Sequence, residues 1–392
     1  MKLLIAMMKY RKSKLVLLTI LASILSACPV YDVRKLTEAE VMQGRLPGSA
    51  GSLAAQNFII ERVSPHARGL MGGTGSNSYK QFYNGGTNIL AVVPGTDLAN
   101  EYVMVGAHFD HLGSRCDTAR SSDVVCDGAS DNATGVAAAI DIAKRMTDEK
   151  FQGRRSLILA FWDQEEFGLL GSRHYVNNPV KPLNNVVAYI NFDILGTNVM
   201  PNMLESSLII AAESGGNVLQ NAMQEALNAS EIAYRQLTSS FGNRLSDHTN
   251  FLSAGVPSVF FTDGIGACYH TAQDEFETID FRKLEKQIDV ASGLTRRLLN
   301  SNAKPRFQTA AVNRNDAQQL LNHINQAAIS ANRFTQADRD RYPQLVQLFQ
   351  SGVDHPNFIL SNSLAEQTLI AAREISTAFR AAGPCEPFHS NE

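Results

Sequence analysis

The chain reads as an α/β protein with a mostly parallel central sheet, helices on both faces and a helical C-terminal extension. Two observations predict this. Between about residues 88 and 299, short apolar, β-branched runs alternate with stretches of helical periodicity, the pattern of strands joined by crossover helices. Beyond about residue 303 the strand-like runs stop and only helical spacing continues.

The elements follow in order. Residues 44–49 (GRLPGS) read as loop, and Leu53 to Val63 carries helical spacing. Asn88 to Val93 (NILAVV) and Tyr102 to Ala107 (YVMVGA) are apolar runs bounded by Gly, Pro and charge, so both are expected as buried strands. From Asn132 to Met146, residues Ala133, Val136, Ala137, Ile140 and Ala143 repeat at helical intervals. Ser156 to Trp162, Val186 to Phe192, Ser207 to Ala211 and Pro257 to Thr262 are further strands; Gly216 to Asn228 and Phe281 to Leu299 are helices. Three helices are expected after that, over Asp316 to Ser330, Gln336 to Gln350 and Ala365 to Ala382. The boundaries implied are a signal segment at 1–27, a catalytic domain at 28–302 and a helical extension at 303–392.

A net charge of -3 with no long basic run argues against a nucleic-acid partner. The amino end stands apart. Lys9, Arg11, Lys12 and Lys14 precede an apolar run from Leu15 to Leu25, and the run closes on Ser26-Ala27-Cys28, the order of a secretory signal. The run is short for a membrane span, and no later run is long enough. Small residues ending at a cysteine resemble a bacterial lipobox, which implies cleavage before Cys28 and a lipid on its thiol. Pro29 is not the aspartate associated with inner-membrane retention, so the expectation is an outer-membrane lipoprotein facing the periplasm. Export permits disulfides. Cys116 and Cys126 flank a polar loop and are the favoured pair; Cys268 with Cys385 would use the rest, but spacing leaves the connectivity open.

The residues able to carry chemistry sit where apolar runs end. His108 and Asp110 end one strand, Asp131 opens the next helix, Glu165 and Glu166 follow the strand ending at Trp162, Asp193 ends another, and His270 follows the strand at 258–262. In open α/β sheets this carboxyl edge is where ligands bind. Singly, each residue has a commoner use: an Asp before a helix is an N-cap, and a Glu pair in a loop is usually solvated. Together, two histidines and several carboxylates form a mixed nitrogen and oxygen set suited to zinc. His111, His174 and His248 are expected to be second-sphere or surface residues and not ligands.

The strings VGAHFDHLG (105–113), DGASDNATG (127–135), DQEEFGLLGS (163–172), INFDILG (190–196), LSDHTNFLSAGVP (245–257) and YHTAQD (269–274) resemble the M28 family of zinc peptidases, over about residues 40–300. The resemblance implies two Zn2+ ions. Asp131 would bridge them, with His108 and Asp193 completing one site and Glu166 and His270 the other. It implies Asp110 as the partner of His108, Glu165 as general base, and a cis peptide at Asp131-Asn132. Ser246 and Asp247 would line the site, with Ser246 steadying His270, and Tyr269 would donate to the oxyanion. The family's frequent protease-associated insert has no room in 63–100.

The implied activity is release of amino-terminal residues from peptide substrates by a membrane-tethered enzyme. A carboxypeptidase or amide deacylase on the same fold would need a cation to grip a substrate carboxylate, and Arg244 is the candidate. Glutaminyl cyclases share the fold but use one zinc, and a metal-free binding lipoprotein would have lost ligands, whereas all five positions are filled here. Oligomeric state is not legible in the sequence.

Overall fold

The computed structural model describes residues 29–119, 123–204, 206–228 and 230–388; the expected signal segment and Cys28 lie outside them. Among these described residues, nine strands form one sheet: β1 (Arg68–Gly69), β2 (Lys80–Tyr83), β3 (Gly86–Val93), β4 (Leu98–His108), β5 (Arg155–Trp162), β6 (Val186–Phe192), β7 (Ser206–Ile210), β8 (Ala233–Leu237) and β9 (Ser258–Thr262). Their order is β1-β3-β5-β4-β6-β9-β7-β8, with β2 also on β3. The helices are α1 (Pro29–Leu36), α2 (Ala39–Met42), α3 (Ala50–Val63), α4 (Thr134–Asp148), α5 (Leu170–Asn177), α6 (Gly216–Leu227), α7 (His248–Ser253), α8 (Phe281–Asn300), α9 (Arg314–Ala327), α10 (Gln336–Val353) and α11 (Asn362–Ala382).

The centre of the sheet, β5-β4-β6-β9, is parallel as expected. Its margins are not: β1, β2 and β3 run antiparallel to their neighbours, and β7 runs antiparallel to β9 while β8 is parallel to β7. The hairpin between β2 and β3 turns on Asn84-Gly85, with Gly85 at φ 87°, a left-handed backbone that glycine adopts without strain. The elements that the periodicity missed, β1, β2, β8, α1, α2, α5 and α7, are short and mostly half-exposed, so they carry too few apolar residues to show a period.

Side chains alternate across the central strands. Val103, Val105 and Ala107 face a layer that includes α3, α4 and α8. Tyr102 and Met104 face the other side, where Trp162, Tyr175 and Phe251 pack together. That second face is covered in two parts. The short α5 and α7 serve the β5-β4-β6 region. Over β9, β7 and β8 the cover comes from the C-terminal helices, with Ile210, Leu237 and Phe260 in one apolar cluster with Leu320, Ile324, Phe349, Ile375 and Phe379. The buried Asp316 of α9 stitches the joint, its carboxylate accepting from Thr238 N (2.8 Å), Thr238 Oγ1 (3.0 Å) and Asn313 N (2.9 Å).

His323 of α9 is buried in this joint, 5.2 Å from the Phe379 ring centroid, with Nδ1 unpartnered among the described residues. Burial, reinforced by Arg235 and Lys283, pushes its pKa from 6.5 down to about 3. Between those values the unfolded chain binds a proton that the folded chain refuses, so stability falls as pH falls through the window. His323→Phe is expected to lose less of its urea midpoint than the parent between about pH 7 and about pH 4, measured by equilibrium unfolding.

Candidate active site

The parallel register sets the site. His108 pairs with Trp162 across β4 and β5, Gly106 with Asn191 across β4 and β6, and Phe192 with Phe261 across β6 and β9. These pairings bring the carboxyl ends of β4, β5, β6 and β9 to one edge, and the polar residues that follow each strand meet there.

The five expected ligand positions converge. His108 Nε2 lies 3.1 Å from Asp131 Oδ1 and 3.3 Å from Asp193 Oδ1. The other oxygen of Asp131 lies 3.2 Å from His270 Nε2, which is 2.9 Å from Glu166 Oε2. Asp131 thus stands between two imidazoles, each with a further carboxylate. Burial pushes the Asp131 carboxyl up, but its hydrogen bonds to His108 and His270 outweigh that and hold it well below the usual range. Burial works against His270 too, yet Asp131 and Glu166 raise it to about 10.

The remaining residues fall less simply. Glu165 is not remote from the cluster: its donor atom and those of His108 and Asp193 lie within 4.8 Å of one another. Burial, with Asp193, Asp247 and Glu166 adding like charge, raises its carboxyl well above the ordinary value. His111 was expected outside the ligand set and is fully buried, with Nδ1 at 2.7 Å from Glu166 Oε1. His111, Asp131 and Glu166 form the second compact donor group. Asp110 approaches His108 Nδ1 at 3.6 Å, while the backbone oxygen of Asp110 is nearer, at 3.1 Å. Its carboxylate also accepts from Glu165 N (2.9 Å) and Glu166 N (3.3 Å), so it fixes the turn that carries both glutamates.

Ser246 does not steady His270. Its Oγ accepts from Asn191 Nδ2 at 2.8 Å, at the end of a chain running from Trp162 Nε1 through Tyr189 Oη. It sits beside Asp193 because β6 and the loop before α7 meet there. Asp247 is buried and accepts from Ser172 Oγ. His248 is buried on Phe260 with its ring centroid at 4.4 Å, and His174 is half-buried on Tyr83. Tyr269 stacks on His270 at 3.8 Å and lines one cavity with Asp131, Glu165 and Asp193.

The loop carrying Asp131 is held from several sides. The Asp131-Asn132 peptide is cis. Asn132 donates to Phe192 O at 2.8 Å and accepts from Gly135 N at 3.0 Å, and a Cβ on Gly135 would fall 2.1 Å from Asn132 Oδ1. Asp274 accepts from Ser130 N (2.9 Å) and Asp131 N (3.0 Å). The Cys116–Cys126 disulfide, with a Cα separation of 6.1 Å, closes the expected loop, and Asp117 in that loop exchanges backbone hydrogen bonds with His270 and Ala272. Cys268 and Cys385 form the other disulfide, at 5.1 Å between Cα atoms.

Sequence reasoning missed Arg45. It lies in the segment read as loop, yet its guanidinium is fully buried behind the site. It donates to Phe109 O (2.8 Å), Leu36 O (2.6 Å), Asp127 O (2.5 Å) and Gly128 O (2.9 Å). One cation therefore ties the loop of His108 and Asp110 to the loop of Asp131. Nothing in a lone Gly-Arg pair signals this, because the partners are backbone carbonyls, which any residue supplies.

The fold and site define an α/β protein with a histidine and carboxylate centre at the carboxyl edge of its parallel strands. Residues 88–295 match the model of peptidase family M28, and the chain belongs to that family. It is 29% identical over 204 residues to a probable glutamate carboxypeptidase LAMP1 of Arabidopsis thaliana, covering 48% of this chain and 28% of that protein. It is 29% identical over 182 residues to a probable lipoprotein aminopeptidase LpqL of Mycobacterium tuberculosis, covering 44% and 33%. The chain spans less than half the length of these curated relatives. Its fold is similar to the crystal structure of the Legionella pneumophila LapA aminopeptidase, with a TM-score of 0.54 at 17% identity, covering 70% of this chain and 72% of that one.

Arg45→Met should destabilise the protein by about 3 kcal/mol or more, because it strands buried carbonyls. Arg45→Lys should recover only part of this, since an ammonium cannot span the same fork. Urea unfolding of the three proteins checks both; a methionine variant as stable as the parent would remove the cradle role.

Proposed function

We propose that the chain is a zinc-dependent aminopeptidase with a two-ion centre. The observation that carries this reading is the placement of Asp131 between His108 and His270, with Asp193 and Glu166 on the two flanks. Imidazole nitrogen with carboxylate oxygen is a donor chemistry that suits zinc, and a shared carboxylate suits a pair of ions. Zinc, when bound, polarises a carbonyl and brings water within reach of deprotonation near neutral pH.

The residues of the chain do the rest. Glu165 is the general base: its carboxylate lies beside the His108 and Asp193 donor atoms yet is not one of the five ligand positions, so it can take a proton from the attacking water and pass it to the leaving nitrogen. Asp110 orients Glu165 and Glu166 through their backbone N–H groups. Tyr269 donates to the developing oxyanion, a role supported by its position in the same cavity. The carboxylates that line the cavity, Asp131, Glu165 and Asp193, favour a substrate's free amine. We further propose export and tethering through lipid on Cys28, in line with the signal-like amino end and with the lipoprotein named among the relatives. No helix among the described residues is long and apolar enough to cross a membrane.

One observation favours a second reading, a carboxypeptidase or amide deacylase. Arg244 and Arg373 both line the active-site cavity, and a guanidinium can grip a carboxylate in two-pronged fashion.

Glu165→Gln should retain zinc and lose turnover by about a hundredfold or more. Metal analysis of the purified variant beside its rate on a leucine anilide tests this; equal loss of zinc would exchange the roles of Glu165 and Glu166.

An N-acetylated peptide should be cleaved far more slowly than its free-amine twin, while a C-terminal amide should be tolerated. Mass analysis of the products decides the direction. Equal cleavage of the acetylated peptide from its carboxyl end would establish the second reading.

A further inference from the structure

The active-site cavity has a volume of about 450 Å³ and two chemically distinct ends. One end holds Asp131, Glu165, Asp193 and Tyr269. The other is lined by Leu320 of α9 and by Leu369, Ala372, Ile375 and Phe379 of α11, which apart from Leu369 share one apolar cluster with Ile210, Phe241 and Phe260. These helices lie outside residues 88–295, the part that matches the family model.

Among the described residues, nothing in the apolar end offers a counter-charge to a basic substrate side chain. Asp263 touches the cavity, but its carboxylate is committed to Thr197 N (2.9 Å), Gln287 Nε2 (2.9 Å) and Lys283 Nζ (3.0 Å). The cations on the wall, Arg235, Arg244 and Arg373, would repel a lysine or arginine.

The wall is also tied to the catalytic loop. Arg380, near the end of α11, donates to Tyr269 O at 3.2 Å and lies 5.2 Å from the Tyr269 ring centroid. Just beyond α11, Cys385 is bonded to Cys268, next to Tyr269 in sequence. The helix that shapes the apolar end therefore shares fixed points with the residue stacked on His270.

We propose that α11, with α9 behind it, is the specificity wall of this peptidase: it forms the far side of the subsite for the side chain of the released residue, and Ala372 sets the depth of that subsite. The apolar lining of that wall is then what a large apolar side chain of the released residue would contact. This rests on the aminopeptidase reading. It adds the element that selects the residue, which the catalytic cluster cannot do, because that cluster meets the amine and the scissile carbonyl and not the side chain.

Full-length parent, Ala372→Phe and Ile375→Ala are compared with leucine, phenylalanine, alanine and lysine anilides, and calorimetry records the binding of L-leucine and L-alanine to the zinc-loaded proteins. Thermal unfolding and zinc content confirm that each variant is folded and loaded. The parent should favour leucine and phenylalanine over alanine, with lysine poorest. Ala372→Phe should lower the leucine-to-alanine ratio of kcat/KM at least tenfold, chiefly through KM, and weaken L-leucine binding more than L-alanine binding. Ile375→Ala should shift preference from leucine towards phenylalanine. A folded, zinc-loaded Ala372→Phe with the parent's ratio and the parent's L-leucine affinity overturns the proposal. A parent that hydrolyses no anilide refutes the aminopeptidase reading instead, and the calorimetric comparison still decides whether α11 walls a side-chain subsite.

Discussion

The structure turns on one buried carboxylate placed between two imidazoles. Asp131 is almost wholly removed from solvent, and an ionised group there is sustained only by what it touches. His108 and His270 supply that contact from opposite sides, at 3.1 and 3.2 Å. The histidines come from distant parts of the chain, one at the end of a central strand and the other in a loop with a left-handed backbone at φ 58°. Displacement of either would leave a carboxylate without compensation, so the geometry around Asp131 constrains everything near it. Asp274 grips its backbone N–H, Asn132 anchors to β6, and Arg45 holds the carbonyls just upstream.

This explains why the site carries so much polar scaffolding away from the reacting atoms. Arg45 faces carbonyl oxygens and draws its electrostatic support from Asp127, Asp131, Asp274 and Asp110. A cation behind an acidic cluster lowers the cost of gathering the carboxylates without entering the cluster itself. Charge is still in excess at the front: burial raises Asp193 and brings Asp247 to about 7. Such a constellation is stable when protons or divalent cations share it, and that is also the condition for the proposed chemistry.

The catalytic end and the selecting end of the cavity are built on different principles. The first depends on strand register, which aligns four carboxyl termini at one sheet edge. The second depends on apolar packing of α9 and α11 over β7, β8 and β9, the part of the sheet that the short helices α5 and α7 leave uncovered. Burying that face and shaping a substrate pocket are one event, so the C-terminal helices serve stability and selection together. The Cys268–Cys385 bond and Arg380 couple the two ends mechanically.

The sequence by itself determined the parallel core and the positions of the clustered residues. Runs such as Val186 to Phe192 are buried along their whole length, so the apolar signal is continuous, and the polar residue ending each run marks the sheet edge. The ligand-type residues were legible because their side-chain chemistry is written in their identity. What only tertiary structure decided are contacts whose partners have no identity to read. Arg45 binds backbone carbonyls; Asp110 and Asp274 accept from backbone N–H groups; His111 gains its role only because Glu166 is folded against it at 2.7 Å. Ser246 meets Asn191 and not His270 for the same reason, since nothing local says that Asn191 reaches it first. The helices after residue 303 announced their periodicity but not their destination. Amphipathic spacing specifies that an apolar face must be covered, while which surface covers it depends on what the rest of the fold has left open.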